Sequence, residues 1–180
     1  MATPTAAETT TQKQAPMNPR QQFLETFERE HATTMRVLRA YPTDKLDLKP
    51  HAMCKDARNL AWMFVMEQAL AEKALTTGLD WSKAPSFPPV PDTFDAILSA
   101  FDEGHNRVAR LVGGLSEQEL AGTVKFFTAP KTIGDIPKLP FLWMLLHDQI
   151  HHRGQFSIYL RMAGGKVPSI YGPTADEPWM

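Results

Sequence analysis

The sequence predicts an all-α fold: a four-helix bundle with a long connection between its second and third helices and a C-terminal tail. Four long segments repeat apolar residues with the 3.6-residue period of an α-helix. The 180 residues, of which 43% are hydrophobic, are enough to close one sizeable core and too few to favour two. We therefore expect one helical domain over residues 18–180. Residues 1–17, rich in Thr, Ala and Gln, are predicted to be a disordered lead.

The first helix is predicted from about residue 19 to residue 41, because Pro42 cannot continue it. Its apolar face contains Phe23, Phe27, Thr34, Leu38 and Tyr41. Glu30 and His31 lie on the two shoulders of that face.

The second helix is predicted from a cap at Asp56 to about Thr77. Its apolar stripe contains Leu60, Met63, Phe64, Leu70, Ala71 and Ala74. Glu67 lies in the middle of this stripe, where a buried charge needs a partner.

The third helix follows a Pro-rich connection over residues 84–91, and Pro91 is placed as its start position. Its inward residues are Phe94, Ile97, Leu98, Phe101, Val108 and Val112, with His105 among them. Ser116 is expected to cap a short turn. Residues 123–127 predict a brief extended segment before a loop that ends at Pro140.

The fourth helix is predicted over residues 141–163, where two glycines end it. On a helical wheel of about 100° per residue, Asp148 and His152 lie on its inward apolar stripe. His147 and His151 lie about 80 to 120° round from that stripe. The inward pair spaced i,i+4 is therefore predicted to be Asp148 and His152.

The ionisable residues on these apolar stripes need an explanation, because a buried charge must be paired, neutralised or bound to a metal. One interpretation is a structural network in which Asp148 orients His152 and Glu67 bonds a neighbouring helix. The other is a divalent metal ion held by one carboxylate of the second helix and the Asp/His pair of the fourth. Such mixed ligands are compatible with Zn, Ni, Fe or Mn. A lone inward histidine such as His105 is typical of a satisfied core residue.

Composition and charge argue against several classes of protein. A net charge of −1 gives no basic surface for nucleic acid or anionic lipid. No apolar run reaches the roughly 18 residues of a membrane span. The lead lacks the basic and apolar regions of a secretory signal, and a single cysteine, Cys54, cannot form an internal disulfide. We expect a cytoplasmic protein without a nucleic-acid or membrane partner.

Several motifs resemble those of the DinB-like family. On and after the fourth helix they are His151-His-Arg-Gly-Gln155, Tyr159-Leu-Arg161, Gly164-Gly-Lys-Val-Pro168 and Ser169-Ile-Tyr-Gly-Pro173. Lys49-Pro50-His51 and Leu60-Ala61-Trp62 extend the match towards the N-terminus. The resemblance covers about residues 20–176 and implies a four-helix bundle in up-down-down-up order.

Proteins of this family often hold a metal with three histidines, one on the second helix and two on the fourth. The resemblance places the last of these at His152 and the one before it at Asp148. The second-helix histidine is expected near Met63, and Glu67 lies one turn later on the same face. The resemblance thus implies a variant site of Glu67, Asp148 and His152, or a site that has lost its metal. This set is harder than three imidazoles and favours Mn, Fe or Ni over Zn.

Family members with assigned activities include metal-dependent transferases that use low-molecular-weight thiols. The resemblance therefore implies transfer of a small thiol to an electrophilic small molecule as the leading enzymatic hypothesis. The alternatives are a non-catalytic, stress-associated bundle whose polar core is a relic, and a metal-dependent hydrolase. The Pro-rich loop and the tail at residues 178–180 offer surfaces for a homodimer. Arg153 and Gln155 are candidates to support the site from beside it. The sequence does not decide whether four further histidines belong to the site: His31, His105, His147 and His151.

Overall fold

The structure is a computed structural model that describes residues 18–82 and 87–180. Its main elements are four long helices and a short β-hairpin. The elements are α1 (Pro19–Arg39), α2 (Ala57–Leu75), α3 (Phe94–Gly114), the single-turn α4 (Glu117–Leu120), β1 (Thr123–Ala129), β2 (Thr132–Pro137) and α5 (Lys138–Met162). The predicted all-α fold with four long helices is confirmed. The predicted disordered lead and residues 83–86 of the Pro-rich connection lie outside the described residues. Within the described ranges, no helix is long and apolar enough to cross a membrane.

The helix starts follow local capping chemistry. The Asp56 side chain accepts a hydrogen bond from the backbone N–H of Asn59, as the predicted cap requires. Ser116 forms a complete capping box with Glu119 at the start of α4. The start of α3 differs from the prediction, because Thr93 caps it and the helix begins at Phe94. A hydroxyl that accepts the N–H of Ala96 is a stronger helix start than the preceding Pro91.

The extended segment predicted at residues 123–127 is confirmed as β1, but the loop predicted after it is wrong. The chain turns at Lys131, whose φ is 62°, and β2 returns antiparallel to β1. The side chains of β2 are mostly exposed, so the sequence carries no alternating apolar pattern that would predict a strand. The last long helix, α5, begins before the predicted residue 141, because Pro140 fits its first turn, where a missing N–H costs nothing.

The four long helices pack in the up-down-down-up order. α1 and α2 each pack against α3 and α5. The residue pairs that fix the directions are Glu28–His105 and His31–Asp102 for α1 and α3, Phe64–Phe101 and Glu72–Arg107 for α2 and α3, and Lys55–Tyr159 and Glu67–His152 for α2 and α5. Since α2 runs parallel to α3 and antiparallel to α5, residues 67–68 of α2 lie beside residues 149–152 of α5.

The core is divided into two apolar clusters by a layer of buried polar residues. One cluster contains Phe64, Phe101 and Phe156, and the other contains Phe27 and Phe141. Every long helix passes from one cluster to the other, and its buried polar residues lie between them. This polar layer consists of Glu30, His31, Thr33, Thr34, Glu67, Gln68, His105, Gln149 and Arg153. The layer crosses the bundle about midway along its length.

Two glycines inside long helices have opposite surroundings. A Cβ atom built on Gly104 of α3 would lie 2.9 Å from Cβ of Gln68, which belongs to the polar layer. A Cβ atom on Gly154 of α5 would meet nothing within 4 Å. The missing side chain at Gly104 therefore allows α3 to approach α2 closely, whereas Gly154 has no such packing role.

We predict opposite effects of alanine at these two positions. Gly104→Ala should lower the free energy of unfolding by about 1–3 kcal/mol, because α2 or α3 must shift. Gly154→Ala should raise it by up to about 1 kcal/mol, because alanine loses less conformational freedom in a helix than glycine does. Urea unfolding of both variants checks this, and a shift of the two midpoints in the same direction would contradict the assigned packing.

Candidate metal centre

Glu67, Asp148 and His152 meet where α2 and α5 lie side by side. Each offers one ligand atom, and these three atoms all lie within 4.8 Å of one another. Asp148 and His152 are one turn apart on α5, so they project from the same side of that helix. Glu67 reaches them from α2, at the edge of the polar layer. The structure thus brings together the three residues that the sequence singled out.

Glu67 and His152 are joined by a short hydrogen bond, and one carboxylate oxygen is left over. Nδ1 of His152 lies 2.6 Å from Oε1 of Glu67. The side chain of Glu67 is 5% exposed and that of His152 is 15% exposed, whereas Asp148 is exposed. The other oxygen of Glu67, Oε2, is buried and has no hydrogen-bond partner in the structure. A buried carboxylate oxygen without a partner is costly, so this atom is where the site lacks a donor or a cation.

The electrostatics of the cluster reflect a surplus of negative charge. Burial raises the pKa of Glu67 to about 7, although its hydrogen bond with His152 acts in the other direction. Repulsion from Asp148 adds to the rise. The hydrogen bond to Glu67 raises the pKa of His152 above 6.5 and outweighs the effect of its burial. Because two carboxylates face one imidazole, binding of a positive charge, either a proton or a metal cation, would stabilise the cluster.

Two clefts open on the cluster. The apolar groove, of about 600 Å³, is lined by Glu67 and Asp148 and by the apolar residues Met63, Met66, Leu70, Phe87, Phe126 and Met144. The Cys54 cleft, of about 410 Å³, is lined by His152 together with Cys54, Lys55, Gln155 and Tyr159. The two carboxylates therefore face one cavity and the imidazole faces another.

Asp148 was predicted to lie on the inward, buried side of its helix, and this prediction of burial is wrong. The helical wheel placed this residue on an apolar stripe, but the side chain is exposed and lines the apolar groove. The wheel gives only the direction of a side chain from its own helix. Whether another helix covers that direction depends on tertiary packing, and here α2 leaves the groove open.

The other histidines lie outside the cluster. His147 and His151 are exposed and line the wall of the apolar groove, and Nε2 of His151 lies 3.0 Å from the side-chain nitrogen of Gln155. His31 and His105 lie between α1 and α3, with their ring centroids 3.9 Å apart and their planes at 12°. Each of that pair bonds a carboxylate of the other helix, so both are members of the polar layer.

Arg153 and Gln155, the two candidates for supporting roles, have different surroundings. Arg153 is 1% exposed and donates to Glu30, to Thr34 and to the hydroxyl of Tyr171 in the tail. Gln155 is exposed and lines the Cys54 cleft together with His152. The contact of the tail with Arg153 was not predicted, because it joins residues 18 positions apart through a loop.

Comparisons with known proteins agree with this architecture. A model described as the DinB family matches residues 9–179. The uncharacterized protein YrdA of Bacillus subtilis (strain 168) is 27% identical over 157 residues, which cover 86% of this chain and 89% of that protein. A DinB-like protein from Bacillus cereus ATCC 10987 has a similar structure, with a TM-score of 0.66 and 24% identity over 83% of this chain and 95% of its own. The DinB-like protein YjoA of Bacillus subtilis gives a TM-score of 0.64 at 15% identity, over 88% and 99% of the two chains. At these identities, the structural likeness concerns the fold.

The buried His31 generates a prediction on pH. Burial lowers the pKa of His31 below 6.5, with the stacked His105 adding to the effect and the bond to Asp102 opposing it. Below pH 6.5 the unfolded chain therefore takes up a proton that the native protein resists, and the native state loses stability as the pH falls. When the pH is lowered from about 8 to about 5.5, the free energy of unfolding should fall less in the His31→Gln variant than in the parent.

The comparison of the two proteins isolates this residue. Groups that do not contact His31, such as Glu67 and His152, titrate in both proteins, so their contributions cancel in the difference. Urea unfolding at both pH values provides the measurement. An equal loss in parent and variant would contradict a depressed pKa of His31.

Proposed function

The chain belongs to the DinB family, and from this premise we propose that it binds a divalent metal ion through Glu67, Asp148 and His152. The observation that carries the proposal is the unpartnered buried oxygen of Glu67 within a cluster of three ligand atoms. A cation at this point would give that oxygen a partner and would balance the two carboxylates.

The donor set fits a divalent ion of intermediate hardness. Two carboxylates and one imidazole suit Mn, Fe or Ni better than Zn, because no soft ligand is present among the three residues. The buried Glu67 and its bond to His152 would hold two of the ligands in place. The exposed side of Asp148 leaves room for a further ligand from solution.

A structural relic is the competing explanation. The Glu67–His152 hydrogen bond by itself would join α2 to α5 without any metal. Without a metal, Oε2 of Glu67 gains a partner only when Glu67 is protonated and donates to Asp148, whose charge and side-chain hydrogen bond both raise the pKa of Glu67. A metal ion would satisfy the same oxygen with both carboxylates ionised, and for that reason we favour a metal site over a relic.

For the reaction we propose transfer of a small thiol to an electrophilic small molecule. A bound divalent ion would lower the pKa of a thiol and favour the thiolate. The cluster opens on two cavities of different character, the apolar groove and the Cys54 cleft. Two cavities suit a reaction of two substrates better than metal-dependent hydrolysis, which needs one cavity and water.

Elemental analysis of protein purified without an affinity tag tests the metal proposal. The parent should contain close to one equivalent of a first-row divalent metal after supplementation. Asp148→Ala and Glu67→Ala should each weaken binding by more than the roughly 10- to 100-fold that is typical of a supporting residue.

His147→Ala and His151→Ala are the matched controls, because both lie on α5 beside the cluster. They should retain the metal. A parent without stoichiometric metal, or loss of metal in these two variants but not in Asp148→Ala, would refute the assignment of the ligands.

The transferase proposal predicts a metal-dependent loss of monochlorobimane in the presence of small thiols, measured as the fluorescent adduct. The sulfur atom forms a bond to carbon, chloride leaves, and the thiol proton passes to solvent. His152→Ala should reduce the rate to that of the reaction without protein. His51→Ala is the control, since His51 is exposed and is not among the residues lining either cleft. A rate unchanged in His152→Ala would contradict the proposal.

A further inference from the structure

The apolar groove has the composition of a binding site for an apolar small molecule. Its walls carry three methionines, Met63, Met66 and Met144, with Leu70 and two phenylalanines. Methionine side chains are flexible and polarizable, so they adapt to ligands of different shape. The volume of about 600 Å³ lies within the range of roughly 300–1,000 Å³ that is typical of small-molecule sites.

Two segments outside the bundle complete the groove. Phe87 belongs to the connection between α2 and α3, and Phe126 belongs to β1. The ring of Phe126 is held by Trp81, with ring centroids 5.4 Å apart, and Nε1 of Trp81 donates to the backbone oxygen of Lys125. The hairpin, which the sequence did not fully predict, therefore forms a fixed wall of this groove.

The acidic residues that line the groove are those of the cluster. Glu67 and Asp148 both line the cavity, and the unpartnered Oε2 of Glu67 is buried. The remaining polar residues of the groove, His147 and His151, are exposed on its wall. A ligand that fills the groove would thus keep its apolar body along the methionines and its polar group at the carboxylates.

We propose that the apolar groove binds the electrophilic substrate and that this substrate is an apolar molecule with one polar or reactive group. The inference rests on the proposed function of the same cluster. It adds the substrate class, which is a molecule with an alkyl or aromatic body. Among the described residues that line the groove, the only acidic or basic side chains besides the histidines are Glu67 and Asp148.

The groove is tested with the neutral dye N-phenyl-1-naphthylamine, whose fluorescence rises in apolar sites, and with 1-alkanols from butanol to octanol that displace it. In the parent, each added methylene should lower the concentration for half displacement by about fourfold. The double variant Met66→Gln/Met144→Gln should bind the dye at least about tenfold more weakly, because it places two amides in the walls.

The matched control is Met162→Gln/Met180→Gln, which makes the same two changes at exposed positions outside the groove. It should behave as the parent does. Equal dye binding by the groove variant and the parent would overturn the proposal. The proposal would also be overturned if sedimentation showed a dimer that dissociates when the dye binds or is displaced, because a second copy of the chain would then occupy the groove.

A second comparison joins the groove to the cluster. Octanohydroxamic acid should displace the dye from metal-loaded parent at a concentration at least about tenfold lower than 1-octanol does, and Asp148→Asn should remove that advantage. Equal potency in protein that contains metal would overturn the proposal. Elemental analysis could find no metal while the displacement by 1-alkanols still strengthens with chain length. That result would refute the proposed metal site, and with it the proposal that the groove binds the substrate of a metal enzyme.

Discussion

The burial of a polar layer across the middle of the bundle is the constraint on which the rest of the structure depends. Each long helix contributes buried polar residues between the two apolar clusters. Burying such groups is costly unless they are paired, and most of these side chains bond a residue of another helix, which aligns the helices along their axes. Arg153 joins α5 to Glu30 of α1 and to Tyr171 of the tail, and Glu67 joins α2 to His152 of α5. Pairing in this layer fixes the register of the bundle and, with it, the position of the candidate metal centre.

Local periodicity was sufficient to predict which side chains form the cluster. The i,i+4 relation of Asp148 and His152 is a property of one helix, and the place of Glu67 in an apolar stripe is a property of another. The general architecture of helix bundles suggested that those two helices face each other, and the resemblance to the DinB family agreed with it. The structure then brought the three residues within reach of a common ion, and the metal itself belongs to the proposed function.

What the sequence did not predict depends on contacts between distant elements. The exposure of Asp148 follows from the gap that α2 leaves beside α5, and the second strand of the hairpin has no apolar alternation of its own. The groove needs Phe126 from that hairpin and Phe87 from the connection. No single segment contains the information for a cavity built from α2, α5, a strand and a loop. The fold class could therefore be predicted from periodicity, whereas the cavities could not.

The departure from the three-histidine pattern links the metal centre to the groove. Where the family resemblance expects a histidine, this chain has Met63, and Met63 lines the apolar groove. The carboxylate of Glu67 lies four residues further along α2, a rise of about 6 Å, and it belongs to the polar layer. We infer that a ligand set with Glu67 in place of a histidine near position 63 leaves that position free to form part of the apolar wall. On this reasoning, a histidine at position 63 would introduce a polar group among the methionines, so the variant ligand set and the apolar groove belong together.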